Sequence, residues 1–199
     1  MDNDNNFEKR EKEIYNQYQS VIAYFIAELE VRDTEYPIEI FNEIRATFTH
    51  LSRYKLQNSI KDLVSAERHI KRATLDCFKY MCVSIKEEIR LFREEYRKVD
   101  LSVAENGRFL IELNRLEEEA NSLYIKAKRE EIKGEISEDR LYAMFETAYN
   151  KHQELTQYLD DSKEAILFAS NHTRNRDIVT KVSIVVTVIS IIIAIICAI

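Results

Sequence analysis

Apolar residues recur along most of the chain at the three- and four-residue steps of a helix, not the two-residue step of a strand. Between Phe7 and Arg32, the residues Ile14, Tyr18, Val21, Phe25 and Leu29 share one face. Asp33-Thr34-Glu35-Tyr36 breaks that helix, and Pro37, whose ring presets a helical φ, suits the first position of the next. The second helix carries Ile38, Phe41, Ile44, Phe48 and Leu51 on one stripe. A third runs from about Ser59 to Lys98. Its second half reads Phe78, Cys82, Ile85, Ile89, Phe92, Tyr96 and Val99, the four-three alternation of a packed seam. Ser102 and Glu105 have capping-box spacing for a fourth helix, with Asn106-Gly107 just behind them. Gly134 closes that helix near Lys133. Ser137, followed by the acids Glu138 and Asp139, opens the last one.

The last helix carries the longest pattern. Stepping by four and three from Leu141 gives Phe145, Ala148, His152, Leu155, Leu159, Ser162, Ile166, Ala169, Thr173, Arg176, Thr180, Ser183, Thr187, Ser190, Ala194 and Cys197. This register predicts one continuous helix from Leu141 to the end. A heptad seam calls for a partner, either further copies of the chain or the fourth helix. From Val182 to Ile199 no residue is charged, and counted from Ile178 the segment spans about 33 Å at ~1.5 Å per residue. It is apolar all round, which predicts a transmembrane helix rather than a core helix. Arg174, Arg176 and Lys181 flank its near side, which predicts a cytoplasmic amino-terminal domain on a single-pass inner-membrane protein.

Composition agrees with helices. Only two glycines and one proline punctuate the 199 residues, too few for the turns of a sheet. The predicted fold is all-α: a helical bundle over 1–100, a helical hairpin or stalk over 101–177, and a transmembrane helix over 178–199. The net charge of −6 excludes a global basic field for nucleic acid, so any anion site must be local. The polar amino terminus is unlike a signal peptide. Cys77 and Cys82 lie roughly 140° apart on one helix and cannot pair with each other, and free thiols fit a reducing compartment.

Several residues carry candidate chemistry. Ser183, Thr187 and Ser190 gather every hydroxyl after Val182 on the seam, with Ala194 next on it. In lipid this suits either close helix packing or the lining of a pore in a ring of copies, with a tetramer favoured. Arg176 falls on the same seam just outside the expected membrane, where copies would set like charges around an axis. With Arg174 and Lys181 it forms a basic mouth for anions or for a polyanion such as an oligonucleotide. Taken singly, these flanks also suit lipid phosphates. His152, on the seam, suits a polar layer that fixes register. No metal cluster, cofactor motif, phosphate-cradling glycine loop or Ser-His-Asp arrangement stands out.

The segment Arg45-Ala46-Thr47-Phe48-Thr49-His50 resembles the hallmark of the HEPN superfamily of helical bundles, an Arg followed after four to six residues by a His late in a helix. Glu67-Arg68-His69-Ile70-Lys71-Arg72 resembles a stretch found downstream in some bacterial relatives. The resemblance covers about residues 1–100. It implies that Arg45 would stabilise phosphate charge and that His50 would act as acid or base on RNA. A polar residue, often Asn, commonly follows the Arg in active members, and here it is Ala46. On bare chemistry, Arg45 and His50 could instead be a hydrogen-bonded pair inside a bundle.

HEPN-like domains joined to transmembrane helices resemble effectors of bacterial antiphage defence. The layout is similar to the membrane effectors of Hailong-type systems, whose partner nucleotidyltransferase makes a DNA oligomer that gates the effector. The leading expectation is therefore an oligomeric pore gated by a nucleotide or oligonucleotide at Arg174, Arg176 and Lys181. The alternatives are a membrane-tethered ribonuclease using Arg45 and His50, and a tail-anchored tether without catalysis.

Overall fold

The computed structural model describes the backbone of residues 2–32 and 37–198 and the side chains of 6–30 and 37–190. The elements are α1 (Asp2–Gln17), a π-helical turn (Tyr18–Ile22), α2 (Ala23–Arg32), α3 (Ile38–Gln57), α4 (Ile60–Glu95), a 3-10 segment (Leu101–Gly107), α5 (Arg108–Lys133), α6 (Glu138–Asp161) and α7 (Lys163–Ala198). No strand occurs among the described residues, as the helical periodicity and the lack of turn residues require.

The π-helical turn alters the first stripe. The Ala23 amide donates to the Tyr18 carbonyl, five residues back, so the turn holds one extra residue. That wider turn brings Ile22 beneath Ile14, and the buried set becomes Ile14, Ile22, Phe25 and Leu29, with Tyr18 and Val21 at its margin. Pro37 caps α3 from an extended conformation rather than opening it. The buried face of α3 is Ile40, Thr47 and Leu51, rotated from the expected stripe. Thr47 is tolerated there because its hydroxyl donates to the Glu43 carbonyl at 2.9 Å. Phe48 stays 42 % exposed and makes an edge-to-face contact with Tyr18.

The chain divides into two compact units, Met1–Ile85 with Asn121–Asn150, and Lys86–Ala120 with Lys151–Ile199. The helices α4, α5 and α6 each lend one stretch to one unit and the rest to the other. In the first unit, Leu63, Ala66, Ile70, Ala73, Cys77 and Met81 of α4 bury against α1 to α3. A second cluster centres on Phe78, Ala127 and Phe145. Lys79 and Lys128 sit over the Phe145 ring at 5.2 and 6.0 Å and share Glu131 between them. Cys77 and Cys82 are free and buried, and burial pushes the Cys82 thiol up to about 12 and that of Cys77 higher still. In the second unit Ile89, Phe109, Leu113, Leu116, Leu155, Ile166 and Ala169 are buried. Phe109 meets the edge of Phe92 and stacks on Tyr158.

Two expectations about the carboxyl-terminal half change. The Ser102–Glu105 capping box is absent. Asp100 caps the 3-10 segment by accepting from the Ser102 amide, Glu105 and Asn106 adopt left-handed conformations, and α5 starts at Arg108. The long last helix is two helices that meet at Ser162, although the Ser162→Tyr158 and Ile166→Ser162 backbone bonds continue across the junction. Gly134 at φ +67 ends α5, and Ser137 caps α6 through its bond from the Arg140 amide, both as read from the sequence.

Within its own unit most of each stretch of the seam is buried: Phe145 and Ala148 in the first, His152, Leu155, Ser162, Ile166, Ala169 and Thr173 in the second, with Leu141 and Leu159 half-buried. The chain's own side chains cover most of this seam as far as Thr173. Beyond Thr173 every described residue of α7 is exposed. Among the described residues no helix is long and apolar enough to cross a membrane. The far end of the expected span, 191–199, including Ala194 and Cys197, lies outside the described side chains.

Candidate functional site

The first candidate site grows out of the α3–α4 hairpin. Asn58 turns the chain in a left-handed conformation at φ +51, and Ser59 starts α4 by accepting from the Asp62 amide. The Asp62 carboxylate in turn accepts from the Ser59 hydroxyl. Bonds from Ser59 first, and from His50 second, hold the Asp62 carboxyl below its usual range. The Ser59 hydroxyl thus helps fix the carboxylate that His50 meets.

His50 Nδ1 lies 2.7 Å from Asp62 Oδ1, and His69 Nδ1 lies 2.6 Å from Glu43 Oε2. The two imidazoles stack on each other, centroids 5.3 Å apart and planes within 13°. Each helix contributes one acid and one histidine seven residues later, a spacing that keeps both on one face. Because α3 and α4 run antiparallel, the acid of each pairs with the histidine of the other. All four side chains are only part-buried, 18 to 26 % exposed, so the cluster is open to a ligand.

An ionised carboxylate only accepts, so each pair places the ring proton on Nδ1. In the neutral ring Nε2 is then left as an acceptor that can take a proton, and the charged ring can return it. The arrangement offers two oriented acid–base groups side by side. The hydrogen-bonded Arg45–His50 pair read from bare chemistry is not formed. Arg45 stands roughly 140° around α3 from His50, is exposed, and has no ion-pair partner among the described residues. Sequence reasoning missed Glu43 and Asp62 and did not connect His69 to His50. The available signal was the acid-x6-His spacing occurring twice.

The second candidate site is the basic collar on α7. Arg176 donates from Nη1 to Asp100 Oδ2 at 2.9 Å, and the Asp100 amide donates to Thr173 Oγ1 at 2.9 Å. Ser102 Oγ also donates to the Asp100 carboxylate, at 2.5 Å. Ser102 first and Arg176 second hold that carboxyl below its usual range. Among the described residues Arg174 reaches Asn171, at 3.1 Å, and Arg174 and Lys181 are both exposed. Asp177 lies between them in sequence and offsets part of the positive charge.

Thr180, Thr187 and Ser190 donate their hydroxyls to the carbonyls of Arg176, Ser183 and Val186, at 2.9, 2.8 and 2.9 Å. Their donors are satisfied inside the helix itself, the condition for placing hydroxyls in a medium without water. His152 is buried and its backbone carbonyl accepts from Thr156. Among the described residues no group of His, Cys, Asp and Glu could hold a metal ion. No protein-family model, curated protein or solved structure matches the chain.

Proposed function

We propose that this chain is a tail-anchored membrane effector of bacterial antiphage defence. In this reading α7 carries it into the bilayer. Copies, a tetramer favoured, meet on the edge of Ser183, Thr187, Ser190 and Ala194 and form a pore. A nucleotide or oligonucleotide held at Arg174, Arg176 and Lys181 gates that pore, with a nucleotidyltransferase as the source of the signal.

One observation carries the reading. Ile178, Val179, Val182, Ile184, Val185, Val186, Val188 and Ile189 are 49 to 67 % exposed on every side of α7. So much contiguous apolar surface needs a cover, and a lipid surface covers all sides of one helix at once. The seam positions beyond Thr173, unlike those before it, remain open to other copies.

Arg176 has an internal partner, so Arg174 and Lys181 test the mouth more cleanly. The purified full chain, reconstituted in anionic vesicles, is expected to pass chloride. A short single-stranded oligodeoxynucleotide is expected to change that flux in the wild type but not in Arg174→Gln/Lys181→Gln. A wild type that passes no ion with or without the oligonucleotide would rule out the pore and leave a tether.

The stacked His50–His69 pair favours a second reading, a membrane-tethered HEPN-type ribonuclease. There His50 and His69 would exchange protons with the RNA 2′-hydroxyl and the leaving oxygen, and exposed Arg45 would meet phosphate. General acid–base groups contribute on the order of 100- to 10,000-fold. Cleavage of a single-stranded RNA by the wild type, falling by that factor in His50→Ala, is the expected outcome. An RNA left intact by the wild type sinks this reading.

A further inference from the structure

The second unit contains a clasp that the sequence did not announce. The loop 100–107 touches the helical rod at two places. At its far end, Glu105 accepts from Ser162 Oγ and from the Tyr158 hydroxyl, both at 3.3 Å, beside the α6–α7 junction. At its near end, Asp100 takes hold of Thr173 and Arg176, about 20 Å along α7 from Ser162. At the far end and just past it the loop holds three consecutive left-handed residues, Glu105 at φ +49, Asn106 at +57 and Gly107 at +87. Glycine accepts that conformation freely and asparagine tolerates it, but glutamate does not. A glutamate held so is strained, and its two bonds to the rod keep it there.

The two ends differ in what can compete for them. At the far end Glu105 is exposed but its partner Ser162 is buried, whereas at the near end the Arg176 side chain is 55 % exposed and the Asp100 side chain 30 %. Water and anions therefore reach the near end. Arg176 belongs to the same collar as Arg174 and Lys181, so a polyanion that binds the collar meets Asp100 as a rival for one guanidinium.

We propose that Asp100 is a built-in counter-ion that competes with the polyanionic ligand for Arg176, so that ligand binding opens the near end of the clasp and frees α7 where it approaches the membrane. This inference rests on the collar being the ligand site in the proposed function, and it supplies the regulation of that site. Without ligand, Asp100 neutralises Arg176 and ties Thr173 to the loop. With ligand, phosphate takes the guanidinium, the carboxylate loses its partner, and the Thr173 bond alone holds the near end.

The test uses the full chain in detergent with a fluorescein-labelled twelve-residue oligothymidylate as probe. Asp100→Asn removes the rival charge while keeping the side chain's size. The exposed Asp100–Arg176 pair opposes binding only modestly, so Asp100→Asn is expected to tighten binding about two- to fivefold. Arg176→Gln should weaken binding, and in the Arg176→Gln background Asp100→Asn should give no gain. Amide hydrogen exchange over 163–177 should rise on adding the probe to wild type and should already be raised in Asp100→Asn alone.

Unchanged affinity together with unchanged exchange in Asp100→Asn would overturn the clasp. So would a gain in affinity that survives Arg176→Gln. A probe that binds no variant removes the polyanion, and with it the competition. The pore reading fails separately. Coupled binding without ion flux would keep the clasp and lose the pore, and flux without coupling would do the reverse.

Discussion

Truncating Phe145 to alanine is expected to destabilise the protein by about 3–5 kcal/mol. The ring is fully buried, packed with Phe78 and Ala127, and it meets the edge of Tyr124 at a centroid distance of 5.9 Å. A cavity at such a site costs both the lost transfer energy and the lost contacts. Here the ring has a second duty. It offers its face to the ammonium groups of Lys79 and Lys128, which stand 5.2 and 6.0 Å from its centre. Their common partner Glu131 is only 25 % exposed, so the three charges sit in a partly dry place. Phe145→Leu separates the two roles, because it refills much of the space but restores no π face. Urea denaturation of the full chain, followed by far-ultraviolet circular dichroism, should place Phe145→Leu between wild type and Phe145→Ala. A loss below about 1 kcal/mol for Phe145→Ala would mean that the cluster is not closed as described.

Placing arginine at Val186 and Ile189 together is expected to move the protein from the membrane pellet to the soluble fraction. Both residues are about half-exposed on α7, so neither substitution disturbs an internal core. In water the change is nearly neutral for stability. In a bilayer each arginine near the helix centre costs about 2.5–3.5 kcal/mol on insertion scales, and both lie near the middle of the expected span, away from the helix ends where snorkelling relieves the cost. Membrane partition after alkaline carbonate extraction is the measurement, with Val186→Leu/Ile189→Leu as the control. Retention of the double arginine variant in the carbonate-resistant pellet would refute the anchor, and the pore would fall with it. Ready solubility of the wild type without detergent would do the same.

Much of the fold was legible in the sequence because local chemistry decides it. Ser137 and Gly134 punctuate α6 and α5 where their side-chain oxygen and free φ respectively are needed. The run Phe78, Cys82, Ile85 and Ile89 is buried on one face of α4 as its spacing predicts. Errors arose where one residue can be spent in two ways. The spacing Ser102-x-x-Glu105 reads as a cap, yet Glu105 is used across the fold on Ser162 and Tyr158, and Asp100 caps in its place. On α1 and α2 the helical step itself changes. The π-helical turn adds a residue between Ile14 and Ile22, and a constant 3.6-residue period cannot register that.

The candidate sites divide in the same way. His50 was visible from its place in a motif, but its chemistry depends on Asp62 and on the stacked His69, twelve and nineteen residues away. Only the closing of the α3–α4 hairpin brings these groups to one surface. Arg176 was visible as a cation on the seam, while its partner Asp100 lies 76 residues earlier in the chain. The seam showed the same ambiguity. Periodicity states that a face wants cover but not whose side chains supply it, and up to Thr173 they come from the chain itself.

By itself, then, the sequence determined that this chain is helical, roughly where each helix starts and stops, and that an uncharged apolar run closes it. Those properties follow from backbone propensity, capping and the period of apolar residues, all of which act over a few neighbours. Tertiary structure alone decided that His50 and His69 stand face to face between two acids and that Arg176 is held by Asp100. It also decided that the heptad seam is mostly covered within one chain through Thr173 and open beyond it. Charge pairing and burial are set by distances through space, which a linear pattern does not carry.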